Sequence, residues 1–285
     1  MPRVSTSEES QLVSGSRRSR TILVSFLGAV VRPMGEWMPI AGAVDLMTLA
    51  GLDAPSVRTA VFRLKKNGWL EPETRGRARG YVLTDRARSI LAAGDEVIWH
   101  ARQPAELADG WCVVHFSIPE SMRSKRLQLR SHVEHLGFGN IGTALWIAPA
   151  RMRTAAEQTI AELGLTEYAV IFVGDYTGVQ DLKSVVHNSW DLGAIDDAYR
   201  GFIAEYGDKE RRFDRNVPSP ADAFLEFLNL VDRWRKLPFR DPGLPTEVLA
   251  ADWSGPEAVA IFERLVALLE KPALDYAAAH WTPGR

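Results

Sequence analysis

Cysteine is nearly absent from this 285-residue chain: Cys112 stands alone. A disulfide framework within the chain is therefore excluded, which fits a reducing, cytoplasmic setting. Long apolar runs are missing too. The longest near the N-terminus, Thr21 to Val31, is too short to cross a bilayer, so no membrane partner is expected. The residues before it, 1–20, are rich in Ser and Arg and have no apolar core. They read as a disordered basic tail and not as a signal peptide. Internal repeats are absent, which excludes solenoids and propellers. The catalytic signatures are missing as well: no glycine-rich phosphate loop, no nucleophile elbow, no dense acid pair in a strand context. His132 and His135 lie three apart but lack Cys or acid support, and Glu134 between them points elsewhere on a helix, so no metal site is expected. Cys112 itself, within a strand-like run, reads as a small buried apolar residue. The chain is expected to be no enzyme and to need no cofactor.

What is present is an ordinary globular composition, 46 % apolar and 25 % charged, enough to build real cores. At about 100–200 residues per domain the length implies two or three of them. Charge is distributed unevenly. Residues 1–88 hold 14 Lys/Arg against 8 Asp/Glu, a net of +6, whereas the remainder holds 20 against 28, a net of −8. A basic head on an acidic body assigns any nucleic-acid contact to the head.

The pattern within the head agrees. Thr21–Val31 predicts an apolar helix stopped by Pro33 and Gly35, and Gly42–Leu49 a second that ends at Gly51. A third helix has clear punctuation: Asp53 as N-cap, Pro55 in the first turn, Asn67-Gly68 as the stop. Val57, Ala60, Val61 and Leu64 form its buried stripe, and Ser56, Arg58, Thr59, Arg63, Lys65 and Lys66 its polar, basic face. Such a face suits a major groove, with arginine on guanine edges and lysine on phosphate. Two short strands follow, around Trp69–Glu71 and Tyr81–Thr84. They flank a turn over Thr74–Gly80 that carries Arg75, Arg77 and Arg79, with Gly76 and Gly80 relaxing the backbone at its tip, a wing able to grip phosphates or enter a narrow minor groove. Thr84 caps a helix expected to run to about His100. Arg17, Arg18 and Arg20 of the tail could add phosphate contacts as an arm; a plain disordered tail accounts for them equally.

Downstream, Gly110–Ile118 reads as a strand, Pro119–Leu136 as a helix, Thr143–Ile147 as a strand, residues 151–163 as a helix and Tyr168–Val173 as a last strand. That order predicts a small ferredoxin-like α+β sandwich. The remainder is largely helical. Leu192, Ile195, Tyr199, Phe202 and Tyr206 share one helix face, Phe224 to Trp234 supply another, and a third helix over Pro256–Leu269 carries Val259, Phe262, Val266 and Leu269.

Four stretches then resemble the PaaX family of regulators of phenylacetic acid and related aromatic catabolism. The first is Val57-Arg58-Thr59-Ala60 leading to Arg63-Leu64 and Gly68-Trp69-Leu70. The second is Trp111, Ile118-Pro119-Glu120 and Leu136-Gly137-Phe138-Gly139. The third is Leu145-Trp146-Ile147-Ala148-Pro149. The fourth is Trp190-Asp191-Leu192 with Leu237 to Pro245 and Asp252-Trp253-Ser254-Gly255. The resemblance spans residues 20–280. It implies a winged-helix head, a ferredoxin-like centre and a helical C-terminal domain. It also implies a homodimer that represses an operon until an aryl acyl-CoA thioester binds. The expected fold class is thus α+β: a basic tail over 1–20, a winged helix-turn-helix over 21–101, a ferredoxin-like dimerisation or scaffold domain over 102–178, and a helical, effector-sensing domain over 179–285. The expected partners are a double-stranded DNA operator, the effector and a second copy of the chain.

For that effector, Trp190, Trp234, Phe239 and Trp253 could line an apolar cleft, with Arg235 and Arg240 on its phosphates. Core packing plus surface arginines is the plainer account of the same residues. Two further readings stand beside the repressor. One is an architectural DNA-binding protein with no effector. The other is a metal-dependent nuclease, because the central segment is similar to small CRISPR-associated ferredoxin-fold nucleases. Those carry a metal-binding Asp at the end of the first strand, where this chain has Ser117 after His115 and Phe116, so an Mg²⁺ site lacks its ligand.

Overall fold

The computed structural model describes residues 21–95, 98, 99, 104–216 and 218–281. The basic tail with Arg17, Arg18 and Arg20, and the junction expected near residues 101–102, lie outside the described residues. The fold is α+β, with two antiparallel sheets. The chain forms two compact units whose pieces are not consecutive. One takes the N-terminal segment through Asp95 together with Glu205–Trp234 and the segment from Ala260; the other takes Glu96–Ala204 and Arg235–Val259.

In the first unit, helix α1 (residues 21–31) ends in a π-helical turn, Leu27–Val31. Strand β1 (Trp37–Pro39) leads into α2 (Ile40–Leu49) and α3 (Ala54–Lys66). Strands β2 (Leu70–Arg75) and β3 (Ala78–Leu83) and helix α4 (Asp85–Asp95) follow. The sheet order is β1-β3-β2. Strand β1 is an addition to the two strands expected from the sequence. It pairs Trp37 with Val82 and Pro39 with Gly80, and three residues ending in proline leave no alternation to detect. Gly80 permits the approach, since a Cβ there would sit 2.3 Å from the Met38 carbonyl oxygen.

The same unit holds the end of α8 (Leu192–Arg215), all of α9 (Pro220–Trp234) and the far part of α10 (Gly255–Trp281). Phe26 of α1 packs edge-on against Phe224 at 6.4 Å and lies 6.0 Å from Trp281. The Ser25 hydroxyl donates to Asp232 at 2.8 Å, and the Trp281 indole N–H donates to the Trp37 carbonyl at 2.7 Å. The core of the head is thus completed by the C-terminal helices. Helices α8 and α10 run past the Tyr206 and Leu269 ends expected for them, and Pro272 lies within α10.

The second unit is built on β4 (Trp111–Phe116), α5 (Arg123–His135), β5 (Gly139–Gly142), β6 (Leu145–Pro149), α6 (Arg153–Glu162) and β7 (Ala169–Gly174). The β-α-β-β-α-β order forms one antiparallel sheet, β5-β6-β4-β7. Cys112, Val114, Phe116, Trp146 and Ala148 alternate onto one face, where Leu129, Val133, Ala156 and Ile160 of the two helices cover them. Helix α7 (Leu182–Ser189) and the start of α8 complete the unit with residues 235–259. No helix among the described residues is long and apolar enough to cross a membrane.

Candidate nucleic-acid interface

Helix α2 ends in a Schellman motif. Gly51, at φ +83°, donates to the Thr48 carbonyl, and Leu52 donates to that of Met47. Four residues later the next helix is under way. Asp53 accepts from the Ser56 backbone N–H at 2.8 Å, and hydrogen bonds from Ser56 hold its carboxyl below the ordinary range. Pro55 occupies the first turn. Helix α3 ends by the same device as α2, with Gly68 at φ +71° donating to Lys65 and Trp69 to Leu64. The cap, proline and stop therefore fix both ends of α3 locally.

The buried stripe of α3 is Val57, Ala60, Val61 and Leu64. Arg58, Thr59, Arg63, Lys65 and Lys66 are exposed, and Ser56 is half-buried beside the cap. The last turn holds Arg63, Lys65 and Lys66, where cations also offset the helix dipole.

The hairpin is longer and tighter than the sequence suggested. Strands β2 and β3 pair from Leu70 with Leu83 out to Arg75 with Ala78, which leaves Gly76 and Arg77 as a two-residue turn. Gly76, at φ +59°, supplies the left-handed position that such a turn requires. All three arginines are exposed, but their settings differ. Arg75 is held, 2.6 Å from Glu73 and with its guanidinium 5.0 Å above the Trp37 ring. Arg77 stands at the tip, and Arg79 on the second strand. At the base, the Thr84 hydroxyl donates to the Gly68 carbonyl and accepts from Ala87, which joins the end of α3 to the start of α4.

The six residues considered for an effector fall into different surroundings. Trp234 is fully buried and stacked on Phe262 at 4.4 Å, in the first unit. The other five belong to the second unit. There, the Trp190 indole donates to the Gly137 carbonyl at 2.9 Å and its ring leans on Gly139, where a Cβ would come within 2.6 Å. Trp253 packs edge-on to Tyr199, whose hydroxyl donates to Asp241 at 2.7 Å. Arg235 is half-buried, and Phe239 and Arg240 are exposed. Tyr199 and Asp241 were not singled out from sequence; Tyr199 looked like one more apolar helix position. A cavity of about 330 Å³ at the end of α8 is lined by Asp208, Arg211, Arg212, Arg215 and Asn216, none of them among the six.

Ser117 is exposed just past β4, its N–H donating to the Tyr168 carbonyl. Among the described residues no group of three or more His, Cys, Asp or Glu could hold a metal ion. His132 and His135 each turn Nδ1 back to a carbonyl of their own helix at 2.7 Å. Cys112 is buried, and burial pushes its thiol up to about 11.

Comparison with known proteins covers most of the chain. Residues 18–87 match the family described as PaaX-like protein, residues 104–186 the PaaX protein central Cas2-like domain, and residues 190–279 the PaaX-like protein C-terminal domain. The transcriptional repressor PaaX of Escherichia coli (strain K12) is 27 % identical over 245 residues, 83 % of this chain and 76 % of that protein. The solved structure of the uncharacterized protein Rv0674 from Mycobacterium tuberculosis superposes with a TM-score of 0.63 at 20 % identity, covering 93 % of this chain and 99 % of that one. With all three family segments present in order, the chain belongs to the PaaX family.

Proposed function

We propose that this chain is a homodimeric transcriptional repressor that binds operator DNA through α3 and the β2–β3 hairpin and is released by an aryl acyl-CoA thioester. The observation that carries the reading is the pairing of a doubly capped helix, basic on its outer face, with an arginine-tipped hairpin in the same compact unit. The first unit reads as a winged helix-turn-helix: α3 enters the major groove and the hairpin is the wing. Arg58, Thr59, Ser56 and Arg63 face base edges and nearby phosphates. Lys65, Lys66, Arg77 and Arg79 neutralise phosphate, and Arg75 stiffens the wing through Trp37. The E. coli relative, by its name a transcriptional repressor, supports the direction of regulation. The β-α-β-β-α-β unit reads as a ferredoxin-like scaffold.

Its edge strand supports dimerisation. Strand β7 carries no charge and no proline, and Val170 (49 % exposed) and Phe172 (67 %) lie on the face away from α5 and α6. An unguarded apolar edge of this kind is a surface that another strand or sheet covers. A second copy fits it, since a two-fold axis lets β7 pair antiparallel with itself. The aryl acyl-CoA effector rests on the family resemblance, and its site on Trp190, Arg235, Phe239, Arg240 and Trp253 of the second unit, with Trp253 against Tyr199 and Tyr199 bonded to Asp241. Helices α8 and α10 each contribute residues to both units.

A mobility-shift assay on the DNA upstream of the chain's own gene tests the reading. A shifted band at low salt that one aryl acyl-CoA abolishes is expected. No shift with pure folded protein would contradict DNA binding. A shift indifferent to every acyl-CoA would leave a DNA-binding protein without this effector.

A further inference from the structure

The outer face of α3 holds one side chain whose chemistry does not match its neighbours. Phe62 is 62 % exposed. At about 100° per residue it points about 150° away from the centre of the buried stripe, into the middle of the outer face. Thr59 and Lys66 lie one turn to either side, and Arg58 and Arg63 form the shoulders; all four are exposed. The ring therefore stands in a cationic surface, where it gains nothing from water and adds nothing to the buried core.

We infer that Phe62 reads thymine: its ring contacts the 5-methyl group of thymine in the major groove. The inference rests on the DNA-binding reading above and adds to it the base class that α3 selects. The surrounding cations draw a duplex onto this face, and close approach strips the ring of water. A benzene ring can neither donate to nor accept from a base edge, so opposite the polar edges of guanine, adenine or cytosine it would leave their groups unpaired. The thymine methyl is the one apolar group that B-DNA displays in the major groove, and an aromatic ring against it is a known form of base readout. Charge and ring divide the work. The cations supply attraction that is independent of sequence, and Phe62 supplies a preference for T·A pairs at one or two positions.

The test needs no operator in advance. Duplexes are selected from a random-sequence pool with the full chain, and the winner is remade with each thymine replaced in turn by deoxyuridine, which removes only the methyl. Affinities are read by fluorescence anisotropy for the native chain, Phe62→Ala and Phe62→Leu. At one or two positions deoxyuridine should weaken the native chain about fourfold, the worth of one buried carbon group expressed as affinity. Phe62→Ala should lose that penalty and keep its binding to random DNA, and Phe62→Leu, still apolar, should retain most of it. Indifference to deoxyuridine at every thymine, with a sequence nonetheless selected, would overturn the inference and leave DNA binding intact. So would an undiminished penalty in Phe62→Ala. A pool from which nothing is selected, with no duplex bound, would overturn both.

Discussion

Gly80 and Cys112 show how much of this molecule is decided by single positions. A methyl group on Gly80 would meet the Met38 carbonyl oxygen and the Trp37 ring, both in the strand that β3 must pair with. Backbone cannot retreat as a flexible side chain can, so Gly80→Ala should cost about 1–3 kcal/mol, the usual range for overpacking. Thermal melting checks it, and an unchanged midpoint would contradict the close approach. Cys112 should be slow towards thiol reagents at neutral pH, because the thiolate is the reactive form and burial holds the thiol at about 11. The sign for stability follows. Because the folded thiol keeps its proton above the ordinary value, its contribution is fully present below about 9 and is lost as the pH rises from there through about 11. Rapid labelling of the folded chain at pH 7 would show the strand to be more open than described.

At the scale of elements, legibility tracked locality. Asp53, Pro55 and Asn67-Gly68 announce α3 within one short window, and its buried stripe has a helical period, so both its bounds and its faces were readable. Strands β1 and β5 were not. One is three residues ending in proline whose partner β3 is distant in sequence; the other is a Gly-Asn-Ile-Gly run whose pairing with β6 shifts register between Asn140 and Gly142, so neither shows an alternating pattern. The hairpin was legible as a hairpin, but not the separate fates of its arginines, since the Arg75–Trp37 contact depends on β1. Phe62 was not singled out from sequence; it lies outside the stripe, and its exposure came from the fold. The aromatic residues considered for an effector were the least legible. Trp234, for example, has the spacing of a core residue and is one. Strand β7 carries the prediction proper to this scale. Phe172→Glu places a charge on the open sheet face away from the α5 and α6 core, so it should leave the fold intact and convert a dimer to a monomer in sedimentation. A native chain that sediments as a monomer at micromolar concentration would remove the dimer reading.

At the scale of the whole molecule, the basic head is not a bead on a string. Its α1 packs on Phe224 and Trp281, and β1 accepts a hydrogen bond from Trp281. Nothing in the local pattern of residues 21–101 requires this, because the complement lies more than a hundred residues away in α9 and α10. A fragment ending at residue 101 would strip Phe26 of Phe224 and Trp281 and the Ser25 hydroxyl of Asp232. It should therefore melt without cooperativity, or at a clearly lower temperature than the full chain. A fragment as stable as the whole would refute the shared core. The uneven charge, +6 over residues 1–88 against −8 over the rest, bears on the proposed DNA binding at this scale as well, since it favours duplex contact by the head. The most direct test of that central claim is an anisotropy titration of the upstream duplex and a scrambled duplex across a salt series, with the native chain, Arg58→Ala and Arg77→Ala. The native chain should prefer the upstream duplex, Arg58→Ala should lose much of that preference, and Arg77→Ala should bind both more weakly with a salt slope shallower by about one. Absence of binding at low salt by folded protein, or equal losses for both variants on both duplexes, would contradict it.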